Sequence, residues 1–373
     1  MIKKVSCTKL NGKIDFSQCF HQDINVITGR NGSGKTTLLK LIWYMMSGNI
    51  ERIHAEIPIE EAELETDRFK LSLAYAQKEG RVKIAIQSEV VELNESVEIN
   101  IRNDEGALNR INRLTAAASG ASLFFPTFRR IEGGFSMTRN RQDDENGRIN
   151  REAQRVEDAL QSLSERLSVL EHRLIASIST NDIITTLTKR YADISESVQA
   201  DNDSRSKNII KIIQEYDRTK HSAANDSSKL DVASKILEEV QTIIAAHSER
   251  QEALLKPFSV LSALVADLFQ HKGIRLTSRI TLGEASMAIA SDKLSAGEKQ
   301  MLSFLAYNTF ARNSIVFIDE PEISLHVDWQ RILFPTLLSQ NASNQFIIAT
   351  HSPFIYSKYT DKELLLDTRG EGE

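Results

Sequence analysis

Gly29-Arg30-Asn31-Gly32-Ser33-Gly34-Lys35-Thr36 decides how the rest of this 373-residue chain is read. The β-rich run Ile24-Asn25-Val26-Ile27-Thr28 precedes it, and Leu38, Leu39, Leu41 and Ile42 follow at helical spacing. Strand, GxxxxGKT loop and helix is the context that distinguishes a phosphate-binding loop from a chance match. The glycines let backbone amides turn inward around phosphate oxygens, and the helix adds the positive end of its dipole. The expected nucleotide contacts are Gly29, Arg30, Asn31, Gly32, Ser33, Gly34, Lys35, Thr36 and Thr37. Lys35 should reach the β- and γ-phosphates, and the Thr36 hydroxyl should ligate Mg2+.

Three further stretches carry chemistry. In Ser314-Ile315-Val316-Phe317-Ile318-Asp319-Glu320-Pro321 an apolar strand ends in two acids. Asp319 is placed to hold the metal through its water shell, and Glu320 to polarise the attacking water as a general base. The plainer alternative is an acidic turn closing a strand. Ser295-Ala296-Gly297-Glu298 precedes an apolar helix. It reads as an N-capped helix start, Ser295 with Glu298 at N3 forming a capping box, and equally as an anion-binding helix end. The same free amides serve both purposes. His351, in Ala349-Thr350-His351-Ser352-Pro353, comes just after a strand and about thirty residues beyond Glu320, where the plain reading is a solvent-facing loop histidine.

Composition bounds the rest. Hydrophobic residues make up 41% and charged residues 26%, as in ordinary globular chains. A net charge of −5 leaves no global basic field to gather nucleic acid. Cys7 and Cys19 form neither a metal-ligand spacing nor a disulfide framework, which fits reduced thiols in the cytoplasm. Met1-Ile2-Lys3-Lys4 leads into a polar alternating stretch, so no signal peptide is expected. No run approaches the roughly 20 apolar residues of a membrane span.

Three pieces are expected: a first lobe at 1–144 with the phosphate loop and an antiparallel sheet, a helical insertion at 145–255, and a second lobe at 256–373. Period-two alternation in Phe69–Leu73 and Val82–Ile86 predicts the antiparallel sheet over about 55–103, with one wet face. In the insertion, Val156, Leu160, Leu163, Leu167, Leu170 and Leu174 alternate steps of four and three, as a coiled-coil seam does. A second such seam runs through Ala233, Leu237, Val240, Ile244 and His247, with polar breaks at 199–206 and 222–228 between the two. If 151–178 is one helix, it is roughly 40 Å long at ~1.5 Å per residue. A packed helical subdomain without a coiled coil is the open alternative. The α/β pattern returns from Pro257.

Leu294-Ser295-Ala296-Gly297-Glu298-Lys299-Gln300 resembles the LSGGQ signature of the ATP-binding-cassette (ABC) superfamily, and the phosphate loop, the Asp319-Glu320 pair and His351 match its other motifs. The resemblance covers 1–50 and 290–355. It implies an α/β, two-lobed, mixed-sheet ABC-type ATPase head that binds ATP and Mg2+ and hydrolyses ATP. It also implies that Ser295, Ala296, Gly297 and Glu298 contact the γ-phosphate held by a second copy, so the heads dimerise, and that His351 is the switch histidine. After the acids, transporters read DEPTSALD; this chain reads Asp319-Glu320-Pro321-Glu322-Ile323-Ser324-Leu325-His326, with His326 in place of the usual aspartate. That form resembles the soluble branch containing the overcoming-lysogenization-defect ATPases, antiphage-system ATPases and relatives of RecF and SMC-type proteins. It implies a sensor or scaffold switch for a separate effector, a nuclease or toxin, in bacterial antiphage defence. A DNA-repair ATPase that grips DNA is the alternative. No toprim nuclease domain is expected in this chain. The run Phe124–Glu132, with Arg129 and Arg130, falls where the superfamily keeps its glutamine loop, and Gln77 is the substitute by default. Those arginines face the nucleotide or form an ordinary solvated pair. The arginines at 139, 141, 148, 151 and 155 are interleaved with acids and do not make a clean phosphate-tracking patch.

Overall fold

Apolar runs without alternation belong to strands covered on both faces, and this chain has several. The structure, a computed structural model, describes residues 1–76, 80–90, 92–127, 130–131, 159–160, 162–178, 180–220, 226–269, 295–340 and 343–366. The chain divides into two units, Met1–Thr180 with Asp292–Glu373, and Asn181–Ser291.

The first unit holds two six-stranded sheets. The antiparallel one has the order β2-β1-β4-β5-β6-β7, built from β1 (Ile2–Leu10), β2 (Ile14–Cys19), β4 (Glu61–Thr66), β5 (Lys70–Ala76), β6 (Arg81–Ser88) and β7 (Leu93–Asn100). Its inner face buries Leu71, Leu73, Val82, Ile84 and Ile86, while Lys83 between them is exposed. The alternation seen in the sequence is therefore the alternation of one dry and one wet face.

The second sheet is parallel throughout, in the order β10-β8-β12-β13-β3-β14. Its strands are β3 (Ile24–Thr28), β8 (Ala121–Phe125), β10 (His172–Leu174), β12 (Ser314–Asp319), β13 (Gln345–Ala349) and β14 (Glu363–Leu365). Every residue of β3, β12 and β13 is buried. Strands of both directions are present, as expected, but they are sorted into separate sheets.

Helix α1 (Lys35–Ser47) is apolar nearly all round, which fits a helix enclosed on all sides. Leu38 to Met46 joins one core with Val5, Leu71 and Ile84 of the antiparallel sheet and Phe317 and Ile347 of the parallel one. The Trp43 indole N–H donates to Ser122 Oγ at 3.1 Å, and Ser122 also meets His172 Nδ1 at 2.7 Å. His172 is fully buried, with Ser119 Oγ at 2.8 Å from its Nε2. Burial pushes its pKa down to about 4, so the ring is neutral.

The first apolar seam has a different fate from the one expected. Residues 162–167 are helical, but Leu170 turns at φ 52° and is 65% exposed, and His172–Leu174 is a strand beside β8. Leu167 and Leu174 are buried in the sheet core, with Leu160 and Leu163 packed on it. A four-three spacing serves any core-facing helix, and here the core belongs to the sheet. Val156 lies outside the described residues.

The second unit contains α4 (Thr180–Lys220) and α5 (Asp226–Phe269), following α2 (Ile50–Glu56) and α3 (Glu105–Ser119) of the first. The expected break at 199–206 is absent, because Asp, Asn and Ser each cost under about 1 kcal/mol in a helix interior and no glycine or proline interrupts. Pro257 lies within α5. His247 Nε2 reaches Asp201 Oδ2 at 2.8 Å, joining the two helices. Of the second seam, His247 is buried, whereas Leu237 and Ile244 are exposed.

Candidate functional site

The C-terminal ends of β3, β12 and β13 converge, and each carries a motif. β3 runs into the phosphate loop, whose Gly29, Gly32 and Gly34 all have positive φ. At Gly29 the requirement is double: φ is 150°, and a Cβ would sit 2.5 Å from Leu366 O. Gly34 caps α1 in the left-handed region, and no acidic residue stands in the first turn of that helix. Its positive end is thus left for an external anion. Ser33 Oγ is buried without a hydrogen-bond partner. Lys35 Nζ is held inside the loop by Gly29 O at 3.0 Å and Arg30 O at 3.1 Å. Burial lowers the Lys35 pKa, opposed by the carboxylates of Glu320, Asp319 and Glu322. An unpartnered hydroxyl, a buried ammonium and an uncapped helix N-terminus fit a phosphate chain.

Asp319, at the end of β12, is fully buried. Thr36 Oγ1 donates to its Oδ1 at 3.2 Å, and Thr127 Oγ1, beyond β8, donates to its Oδ2. One carboxylate with one phosphate-loop hydroxyl suits Mg2+, which fills its remaining positions with water and phosphate oxygens. Among the described residues there is no group of three His, Cys, Asp or Glu suited to a metal.

Glu320 adopts φ 48° and its N–H donates to Ala349 O at 2.8 Å, which turns its side chain toward His351. The two groups are 3.8 Å apart (Oε1 to Nε2), an ion-pair distance too long for a hydrogen bond. Burial raises the Glu320 pKa, with Asp319 and Glu322 adding to it and His351 and Lys35 opposing. A carboxyl biased toward its neutral form is a stronger base when ionised. A cavity of about 430 Å³ is lined by Asn11, Asn31, Gly32, Gly34, Lys35, Thr36, Thr37, Glu320 and His351.

Ser295–Glu298 do not line that cavity. Ser295 caps α6 (Ala296–Phe310), accepting from the Glu298 N–H while the Glu298 carboxylate accepts from the Ser295 N–H, so the capping box is present. The helix instead touches the loop after Glu320. A Cβ on Gly297 would meet Ser324 O at 2.3 Å, and Gln300 Nε2 donates to Pro321 O at 3.0 Å. His326 caps α7 (Val327–Ser339). Gln77, Arg129 and Leu294 lie outside the described residues; Arg130 is in the two-residue strand β9 (Arg130–Ile131), which pairs with β11 (Ser177–Ile178).

Two site residues escape the motif reading. Asn11, at φ 53° in the β1–β2 turn, donates to Thr37 Oγ1 at 3.3 Å and lines the cavity. Thr127 lies within the Phe124–Glu132 run, two positions before Arg129, and its contact with Asp319 spans 192 residues.

This arrangement defines a P-loop nucleotide-site fold of the ABC-type ATPases. The family model described as "AAA domain, putative AbiEii toxin, Type IV TA system" matches residues 24–357, and the chain belongs to that family. It is 23% identical to the "Retron Vc95 probable ATPase" of Vibrio cholerae serotype O1 biovar El Tor, over 92% of this chain and 68% of that protein. It is 21% identical to the "Retron Ec83 probable ATPase" of Escherichia coli, over 96% and 69%. A shorter match, 35% identity over 75 residues, links it to endonuclease GajA of Bacillus cereus strain VD045, covering 18% of this chain and 13% of that one. Among solved structures, the Smc head domain with an extended coiled coil bound to the C-terminal domain of ScpA, from Pyrococcus furiosus, overlaps 95% of this chain and 91% of its own. Its TM-score is 0.36 at 13% identity. Among the described residues no helix is long and apolar enough to cross a membrane.

Proposed function

We propose that this chain is a Mg2+-dependent ATPase of antiphage defence whose heads dimerise on ATP and control a separate effector, a nuclease or toxin. The observation that carries the hydrolytic part is the meeting of Lys35, Thr36, Glu320 and His351 around one cavity from three strand ends, with Asp319 buried behind it and bonded to Thr36. Lys35 and the loop amides bind the phosphates, and Thr36 with Asp319 hold the metal. When bound there, Mg2+ would offset negative charge on the phosphate chain. Glu320 takes the proton of the attacking water, and His351 orients on the γ-phosphate side. Dimerisation is supported by the N-terminal end of α6, where Ala296 and Gly297 lie between the two capping-box bonds and apart from the cavity of their own chain. The retron ATPases among its relatives support the biological role.

Glu320→Gln should keep nucleotide binding, slow hydrolysis by about 100-fold or more, and accumulate a nucleotide-bound dimer in light scattering. Lys35→Ala should abolish binding of a fluorescent ATP analogue. A Glu320→Gln protein hydrolysing ATP at the normal rate removes the general-base role; one that stays monomeric with ATP removes the composite site.

A further inference from the structure

The loop after Glu320 is stitched to the turn carrying His351 by side chains with no assigned role. Glu322 Oε1 accepts the His351 backbone N–H at 2.7 Å, and its Oε2 accepts the Thr350 hydroxyl at 2.8 Å. Thr350 is fully buried, and its Oγ1 in turn accepts the Ser352 N–H at 3.0 Å. One carboxylate thus organises three consecutive residues beyond β13. Gln330, on α7, closes the other side: its Nε2 donates to Leu325 O at 2.8 Å, and Ser352 Oγ donates to its Oε1 at 2.6 Å. The loop itself is curled by positive φ at Glu320 and Ser324, with Ile323 N–H on Glu320 O and Leu325 N–H on Glu322 O.

These bonds hold the main chain of His351 and leave its ring facing Glu320. Its backbone is pinned by Glu322 on one side and by the Ser352 turn on the other, and the Glu320 backbone is pinned to Ala349. The Glu322 bridge thus holds the main chain that carries the His351 ring, 3.8 Å from Glu320, together with the Thr350 N–H on Ile27 O at 3.2 Å.

We infer that Glu322 is a positioning residue for hydrolysis, holding His351 in register with Glu320 by bridging the Thr350 hydroxyl and the His351 amide. The inference rests on the ATPase function proposed above. Because the same loop touches α6 at Gly297 and Gln300, a lapse of the Glu322 bridge loosens the segment between Glu320 and the signature helix.

Two measurements test it on the full chain. Hydrogen exchange in the nucleotide-free protein reads the bridge directly: the His351 amide should be protected in the parent and lose that protection in Glu322→Ala. Steady-state kinetics read its consequence. Glu322→Ala should lower kcat ~10- to ~100-fold, as a misplaced group does, with KM and affinity for a fluorescent ATP analogue within about threefold. Glu322→Gln, which keeps a carbonyl acceptor for the His351 amide, should recover much of the loss, and Thr350→Val should fall between. In a His351→Ala background, Glu322→Ala should cost little more, because residues acting through one another are non-additive. Unchanged kcat in Glu322→Ala, full additivity with His351→Ala, or a collapse of nucleotide binding and melting temperature together would each overturn the positioning role. A parent protein that binds but does not hydrolyse ATP would instead overturn the function proposed above, while retained His351 amide protection in Glu322→Ala would overturn the bridge alone.

Discussion

The two units of this chain solve the problem of stability in opposite ways. The sheet unit buries Trp43, Phe124, Phe125, Phe304, Phe317, Phe334 and Phe346 almost completely. In its parallel sheet β3 pairs with β13 and β14 and β8 with β12, all far apart in the chain, and in its antiparallel sheet a one-residue slip would turn the apolar set outward. The helical unit has two helices of 41 and 44 residues and leaves Ile210, Ile213, Leu237 and Ile244 exposed. A helix closes its backbone hydrogen bonds locally and needs no distant partner for its register, although its stability still comes largely from packing one face. Chemistry needing fixed geometry sits in the unit whose register is over-determined.

That contrast is open to attack, because both tryptophans, Trp43 and Trp329, lie in the sheet unit. Indole fluorescence follows that unit alone, and far-ultraviolet circular dichroism follows both. The largest effect is expected from Phe124→Ala, which removes a ring lying 5.5 Å from Trp43 and 6.1 Å from Phe317. A loss of about 3–5 kcal/mol in urea unfolding should be seen by fluorescence. A loss under ~1 kcal/mol would show that this core relaxes easily. Next comes Gly48→Ala: φ is 67° and a Cβ would lie 2.1 Å from Asn112 O, so α1 and α3 must part, at about 2–4 kcal/mol by the same measurement.

The buried His172 predicts a pH effect of intermediate size. Its folded pKa of about 4 lies below the ordinary ~6.5 of an unfolded histidine. The unfolded chain then binds the extra proton between those values, so stability is full above pH ~6.5 and declines as pH falls toward 4. The decline amounts to up to about 3 kcal/mol, and it should shrink in His172→Gln when urea midpoints at pH 7.5 and 5 are compared. The smallest effect is expected from Leu237→Ala, within about 0.5 kcal/mol by circular dichroism. A loss above ~1.5 kcal/mol would mean that this face is covered in solution.

The site was legible in proportion to how local its signals are. Gly29–Thr36, Asp319-Glu320 and His351 each follow an apolar strand and announce their place within eight residues. Thr127 and Asn11 have no such neighbourhood; only the pairing of β8 with β12, and the β1–β2 turn lying beside α1, bring them to Asp319 and Thr37. Glu322 stood in the quoted loop, yet its use depends on Thr350 and His351, more than two dozen positions on. The apolar seam ending at Leu174 misled because the same spacing serves a coiled coil and a helix laid on a sheet. The turn at Leu170, which ends that helix, carries no glycine, proline or asparagine to announce itself.

The place of β3 in the sheet has a further consequence, for synthesis. The strand that launches the phosphate loop is flanked by β13 and β14, and Asn25 meets Phe346 across 321 positions. At about 5–20 residues per second, a ribosome leaves that strand without neighbours for roughly a quarter of a minute to a minute. Its five apolar-enclosed residues are meanwhile an open strand edge, so nascent chains of this protein should be clients of holding chaperones. Nucleotide binding then becomes a late event, available only once the far end of the sheet has been made.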